Sequence, residues 1–185
     1  MLAHAETERT REVVLGDRSP VRRGSDEAPA PLAVPAAPRR GRVVVGPEPA
    51  CAGTAEAAGL AVDAVLPGLA GPDTGSWAGL PVVEVGERDP EGLARWLADV
   101  TAAPHGGESL ADLVVRAGRA LDEQPWPEPG GTAVVTPLVA RALVVHAVRA
   151  PPEVLLRVDV APGGQVELTR HHGRWRLRAL RPPGR

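Results

Sequence analysis

The chain has 185 residues, a formal net charge of −2 and a single cysteine, Cys51. This length fits one domain over residues 1–185, the small net charge gives no reason to expect nucleic acid as a partner, and one cysteine excludes an internal disulfide framework. No apolar run approaches the ~20 residues of a membrane span, and no basic segment precedes an apolar one at the N-terminus as in a signal peptide, so we expect a cytoplasmic protein with no membrane contact.

The first 41 residues contain a short apolar start and a long proline-rich stretch. Met1, Leu2 and Ala3 form the short apolar start, and a His follows directly. Residues 17–41 are rich in Pro, Ala and Arg. Each proline inside a helix costs ~3 kcal/mol, so this stretch predicts a loop within the domain.

The middle of the chain alternates short apolar runs with helical patterns. Residues 42–45 predict a buried strand that Gly46-Pro47 closes. The small residues 50–58 predict a helix, with Gly59 at its C-terminal end. Asp89-Pro90 is a good helix start, and the apolar spacing behind it predicts a helix through Asp99.

The second half contains the clearest helix and a terminal hairpin. Ser109 and Asp112 form a capping pair before an apolar face at helical spacing, namely Leu110, Leu113, Val114, Ala117 and Leu121. Residues 133–136 predict a second buried strand, and residues 138–148 a buried helix. The runs 166–169 and 175–178 alternate apolar and polar residues on either side of a turn at residues 171–173, which is typical of a hairpin. No metal or cofactor is expected, because no further ligands gather near the two histidines of that turn.

This order of elements predicts an α/β protein: a three-layer domain with a mainly parallel sheet, helices on both faces and a C-terminal hairpin. The segment Ala3-His4-Ala5-Glu6-Thr7 resembles the Arg-His-Gly-Glu-Thr nucleophile motif of the histidine phosphatase (phosphoglycerate mutase-like) superfamily. Residues 75–79 resemble that family's Gly-x-Trp-Glu-Gly turn, and residues 105–109 its Pro-Gly-Gly-Glu-Ser segment. The resemblance runs from residue 4 to residue 180 in the family's order, and it implies the family's three-layer fold.

The resemblance implies that His4 is the nucleophile and that most of its catalytic partners are missing. The family's two arginines fall at Ala3 and Ala50, its second histidine falls in the stretch around residues 137–138, and its acid falls at Gly71. Asp73 is the nearest carboxylate and a candidate substitute acid. The candidate binding residues are Glu6, Thr7, Glu108, Ser109, Thr136 and Arg141. Structural roles are left open as alternatives for four of these residues. His4 would be a hydrogen-bonded remnant of the motif, Asp73 would cap a turn, Glu108 would hold a turn and Ser109 would cap a helix.

Because only the nucleophile is kept, the sequence favours a non-catalytic pseudophosphatase that binds a small molecule or a protein, with a homodimer left open. The alternatives are a weak or altered phosphomonoesterase that works through phospho-His4, or a different chemistry in a remodelled pocket. Ala3, Ala50, Leu138 and Val139 would make that pocket less polar, so we expect an uncharged ligand rather than a phosphate ester.

Overall fold

The computed structural model describes residues 1–22, 41–128 and 130–183, and its strands form one sheet. The strands are β1 (Leu2–Ala3), β2 (Arg42–Val45), β3 (Ala64–Val65), β4 (Gly131–Val135), β5 (Gln165–His171) and β6 (Arg174–Arg181). Their order across the sheet is β3-β2-β4-β1-β5-β6. The first four in this order are mutually parallel, whereas β5 is antiparallel to β1 and to β6. The mainly parallel sheet and the C-terminal hairpin are therefore confirmed.

Five α-helices within the described residues accompany the sheet: α1 (Pro49–Ala57), α2 (Val82–Arg88), α3 (Pro90–Ala98), α4 (Leu110–Asp122) and α5 (Pro137–Val148). Successive side chains of a strand point to opposite faces, and the described residues form two apolar clusters accordingly. The smaller cluster contains Leu2, Val45 and Val134 with Cys51 and Ala55 of α1. No described helix is both long enough and apolar enough to cross a membrane.

The larger cluster lies on the other face, beneath α4 and α5. From the strands it takes Ala3, Val44 and Val135, each of which neighbours a residue of the smaller cluster. From α4 it takes the five apolar residues that the sequence pattern predicted, all of them buried. Helices thus cover both faces of the sheet, as the three-layer prediction requires.

The helix starts follow from their capping residues. Ser109 Oγ accepts a hydrogen bond from Asp112 N at 3.1 Å and donates one to Asp112 Oδ2 at 2.7 Å, so the predicted capping pair is confirmed. Thr136 Oγ1 accepts from Val139 N at 3.2 Å at the start of α5. Asp89 accepts from Gly92 N at 2.9 Å before α3. Each of these bonds satisfies one of the free N–H groups of a helix's first turn.

The sequence prediction included neither α2 nor β3. In α2, Val85 is buried while Val83 is 71% exposed, and Gly86 lies inside the helix, so no apolar stripe of helical period indicates it. Strand β3 is only two residues long at the edge of the sheet. Of the predicted 17–41 loop, residues 23–40 lie outside the described part of the chain. The described residues before them are held to the preceding segment by a bridge between Thr7 and Val21.

Candidate functional site

The candidate site lies where the parallel strands β1, β2 and β4 end. His4 follows β1, Gly46 follows β2 and Thr136 follows β4. His4 N donates to Val135 O at 2.8 Å, and Gly46 N donates to Val134 O at 2.8 Å, so both chains stay beside β4 after their strands end. In open α/β sheets, ligands bind at the carboxyl ends of the strands. The sequence therefore places His4 at the edge of the sheet where a ligand is expected.

The His4 ring is half-buried, and its Nδ1 lies 2.7 Å from the carbonyl oxygen of Ala5. When Nδ1 carries the proton, it donates to this carbonyl, and Nε2 keeps a free lone pair. No described residue forms a hydrogen bond with Nε2. This arrangement orients the ring and leaves one nitrogen open to a ligand.

Helix α1 fixes the chain directly after His4. Ala5 N donates to Thr54 Oγ1 at 2.9 Å, and the same hydroxyl donates to Ala50 O at 2.7 Å. Ala50 and Ala3 are almost fully buried. The two positions to which the family resemblance assigns arginines therefore hold buried methyl groups and supply no charge.

A carboxylate that sequence reasoning did not assign to the site, that of Glu48, lies at this edge. Its Oε1 accepts a hydrogen bond from Gly71 N at 2.6 Å. A Cβ atom on Gly46 would lie 2.8 Å from Oε2, and one on Gly71 would lie 3.3 Å from Oε1 and 4.0 Å from Thr136 Oγ1. Because neither glycine has a side chain, there is space for the Glu48 carboxylate between them and Thr136. None of the motifs quoted in the sequence analysis includes Glu48, so no local pattern assigned it to the site.

The Cys51 thiol is buried beside this carboxylate, with Sγ 3.8 Å from Glu48 Oε2. Burial, and next the negative charge of Glu48, raise the pKa of the Cys51 thiol far above its usual range. The thiol therefore stays protonated, and a protonated thiol is a poor nucleophile. Cys51 is thus a small buried side chain of the smaller apolar cluster.

Glu108 is the partner of an arginine that the sequence analysis did not single out. Arg116 Nε and Nη2 each donate to a different oxygen of Glu108 at 2.7 Å. The same guanidinium donates to three carbonyl oxygens, those of Gly68, Ala70 and Gly71, at 2.9, 3.1 and 3.2 Å. Together with the cap at Ser109, these bonds join α4 to residues 68–71. The hydrogen bonds at positions 108 and 109 are those of structural residues, and their contact with a ligand stays a prediction.

Asp73 is exposed, and its carboxylate accepts a hydrogen bond from Gly75 N at 2.9 Å. Its carbonyl oxygen accepts from Glu108 N at 2.7 Å. These bonds are those of a turn cap. The carboxylate bound to Gly71 belongs to Glu48 rather than to Asp73, and a role for Asp73 as an acid stays a prediction.

The other candidate binding residues also have partners. Glu6 is exposed, and its carbonyl accepts from Arg22 N. Thr7 is buried, and its hydroxyl donates to Asp17 Oδ2 at 2.7 Å. Arg141 Nη2 donates to Asp159 Oδ1 at 3.1 Å. Thr136 is the N-cap of α5 described above, and of these residues it alone directly follows a strand that ends at the site.

The turn at residues 73–77 packs on a buried histidine, His105. Its ring lies edge-on to Trp77 and Trp96, with centroid distances of 4.9 and 5.9 Å, and its Nδ1 accepts from Gly107 N at 3.0 Å. Burial lowers the pKa of His105 below its ordinary value of 6.5, although the nearby carboxylate of Asp73 opposes this shift. Folding therefore favours the neutral imidazole.

His105 should make the stability of the protein depend on pH in a known direction. Because its pKa is lower in the folded state, its contribution is fully present above pH 6.5 and is lost as the pH falls through the folded pKa. We expect the stability difference between wild type and His105→Asn, which keeps an acceptor near Nδ1 but cannot be protonated, to shrink from pH 7.5 to pH 5.5. Urea unfolding of both proteins at the two pH values measures this difference. A gap that is constant or widens on acidification would contradict the assignment.

The family model for the histidine phosphatase superfamily (branch 1) matches residues 3–182. The chain belongs to the histidine phosphatase superfamily. Solved structures share this fold: a mycobacterial glucosyl-3-phosphoglycerate phosphatase, Rv2419c, aligns over 98% of this chain and 97% of its own at 20% identity and a TM-score of 0.74. The alpha-ribazole phosphatase of Shigella flexneri aligns over 97% and 94% at 18% identity and a TM-score of 0.75.

A curated relative of this superfamily member is the bifunctional protein Rv2228c of Mycobacterium tuberculosis. It is 37% identical over 108 residues, which make up 58% of this chain and 27% of Rv2228c. The matched segment thus covers about a quarter of that relative's length.

The site as a whole combines one oriented imidazole with one carboxylate. None of the arginine hydrogen bonds or ion pairs within residues 1–22, 41–128 and 130–183 reaches His4, Glu48 or Thr136. From Ala3, Ala50, Leu138 and Val139 we expected a less polar pocket and an uncharged ligand. The structure adds a negative charge that this expectation left out.

Proposed function

We propose that this protein is a pseudophosphatase: a histidine phosphatase fold that binds a ligand or a protein and does not turn over phosphate esters. The observation that carries this proposal is the carboxylate of Glu48 beside Gly71, together with the lack, among the described residues, of an arginine bonded to His4, Glu48 or Thr136. Transfer of a phosphoryl group to an imidazole requires an aimed nucleophile and positive groups that neutralise the phosphoryl oxygens. The oriented ring of His4 supports the first requirement, whereas the negative charge of Glu48 opposes the second.

The size of these effects argues against ordinary catalysis. Removing one preorganised donor from an active site costs about 10²–10³ in rate, and catalytic groups act as a unit rather than additively. A carboxylate also repels a phosphate, because two like unit charges 4 Å apart repel by about 4 kcal/mol at an effective dielectric constant of 20. Buried alanines at positions 3 and 50 together with Glu48 thus weaken both the binding of a dianion and its reaction.

A weak phosphomonoesterase that works through phospho-His4 is the second candidate function. The contact between His4 Nδ1 and the Ala5 carbonyl favours it, because this contact presents Nε2 as a free nucleophile. Proteins of similar fold named as phosphatases, such as the glucosyl-3-phosphoglycerate phosphatase, also support it. For this function, positively charged residues other than those described at the strand ends would have to replace the missing arginines.

A phosphatase assay separates the two candidates. Purified protein should hydrolyse para-nitrophenyl phosphate no faster than its His4→Ala variant, because the site lacks the charges that the transition state needs. Circular dichroism should first show that both proteins are folded. Hydrolysis by wild type that is lost in His4→Ala would overturn the pseudophosphatase proposal and establish the phospho-His4 enzyme instead.

A further inference from the structure

The C-terminal hairpin carries a charge opposite to that of the rest of the chain. Residues 168–185 contain six of the 21 arginines and none of the 23 acidic residues. Residues 1–167 hold the other 15 arginines against all 23 acids, so the small net charge of −2 conceals a basic hairpin on an acidic body. A charge asymmetry of this kind indicates an interaction with an anionic partner.

Strand β6 presents three of these arginines on one face. Arg174, Arg176 and Arg178 are exposed, whereas Trp175 and Leu177 between them are partly buried and pack against the larger apolar cluster. Successive side chains of a strand point to opposite faces, so the arginines lie on the face turned away from that cluster. Neighbouring arginines of this row are about 7 Å apart along the strand.

The neighbouring strand β5 neutralises little of this charge. The β5 residues opposite Arg174 and Arg176 are His171 and Thr169, neither of which is negative. Glu167 is the acidic residue of β5. It is shared by Arg178, at 3.1 Å from Oε1, and by Arg181, at 3.0 Å from Oε2. One carboxylate thus faces two guanidinium groups, and the row keeps a positive charge after these ion pairs are counted.

The backbone of β6 offers the same partner a second kind of contact. Among the described strands β6 is the outermost on its side of the sheet. The turn between β5 and β6 has two residues and pairs His171 with Arg174. Hydrogen-bonded and non-bonded pairs alternate along an antiparallel ladder, so Trp175 and Leu177 direct their N–H and C=O groups away from β5. Extended peptides bind proteins by pairing with such an edge.

We propose that the outer edge of β6 binds an acidic segment of a partner protein as an additional strand, with alternate carboxylates of that segment facing Arg174 and Arg176. A strand places every second side chain on the same face, which is the period of the arginines, and opposite charges on neighbouring strands attract across the pair. This surface contains no residue of the site at His4, so the inference is independent of the proposed function.

A single-stranded nucleic acid fits this surface less well than an acidic peptide. Proteins bind single strands by stacking bases on exposed aromatic rings. The aromatic residue of β6, Trp175, lies on the opposite face from the arginines, and its indole N–H donates to Asp122 Oδ1 at 2.7 Å. The row of arginines therefore has no aromatic ring of β6 beside it on which a base could stack.

Fluorescence anisotropy with the full chain and a labelled eight-residue peptide of alternating glutamate and threonine tests this proposal. A peptide of the same composition with its four glutamates in one block should bind more weakly, because its charges do not match the period of the row. Arg174→Gln combined with Arg176→Gln should weaken binding of the alternating peptide about fivefold. Arg88→Gln combined with Arg119→Gln removes the same charge from arginines that are 64% and 78% exposed on helices, and it should leave binding unchanged.

Amide hydrogen exchange shows whether the peptide pairs with the edge. The alternating peptide should slow exchange at the backbone amides of Trp175 and Leu177. If these two amides are already protected without peptide, the edge is not open and the proposal is wrong. Equal binding of the two peptides, or equal losses in the two double variants, would show general charge attraction instead of strand addition. Tighter binding of an eight-nucleotide single-stranded DNA than of the alternating peptide would overturn the choice of a protein partner.

Discussion

Arg116→Met should lower the free energy of unfolding by about 2–4 kcal/mol, because it removes one partner of a largely buried ion pair and leaves the other uncompensated. The side chains of Arg116 and Glu108 are 30% and 16% exposed. The substitution removes two bonds to Glu108 and three to the carbonyl oxygens of residues 68–71, while methionine keeps the packing of the aliphatic stem. Urea unfolding followed by circular dichroism measures the loss.

Arg119→Met is the matched control on the same helix. Arg119 is 78% exposed and pairs with Glu123 four residues along, and pairs of this kind contribute only about 0.3–0.5 kcal/mol. The control should therefore stay within about 0.5 kcal/mol of wild type. Equal losses in the two variants would show that the Arg116 network does not join α4 to residues 68–71 in solution.

A cap and an apolar period agree in the helix that the sequence predicted most clearly, α4. For α4, Ser109 supplies the cap and five residues at helical spacing supply the buried face. Helix α2 has neither: Pro81 precedes it without a side-chain cap, and of its residues only Val85 is buried. It forms next to α3, with which it shares packing contacts that no local pattern reveals. Tertiary packing outweighs weak local preference in such a short helix.

The site was predictable in part for a similar reason. His4 could be located because residues 3–7 resemble the family's nucleophile motif, and the structure places it directly after β1, at the edge where the parallel strands end. Glu48 could not be assigned to the site, because its place depends on Gly71, which is 23 residues away in the chain and reaches it through a backbone hydrogen bond. A residue whose role comes from a close backbone approach has no signal of its own in the sequence.

The segments that carry the family resemblance turn out to bind each other. Ser76 N donates to His105 O at 3.0 Å, and Glu108 N donates to Asp73 O at 2.7 Å, so the turn at 73–79 is fastened to residues 105–108. These contacts explain why a chain can resemble the family in its turns while its arginine positions hold alanine. The turns support the fold, and the fold is compatible with alanine at positions 3 and 50.

Gly107→Ala should be severely destabilising, by about 3 kcal/mol or more, because the new methyl group meets backbone that cannot move freely. A Cβ atom on Gly107 would lie 2.1 Å from Asp73 O and 2.8 Å from Gly75 N. Relief of this clash must open the contact between the two turns and expose His105 beneath them. Thermal unfolding of the variant measures the loss.

The control for this glycine is Gly86→Ala in α2, where the added Cβ would make an ordinary 3.5 Å contact with Leu93 Cδ2. Alanine is favoured over glycine inside helices by about 0.5–1 kcal/mol, so this variant should be as stable as wild type or more so. If Gly107→Ala also unfolds at or near the wild-type temperature, the two turns are not in close contact. The family-like turns would then not be the elements that hold this part of the fold together.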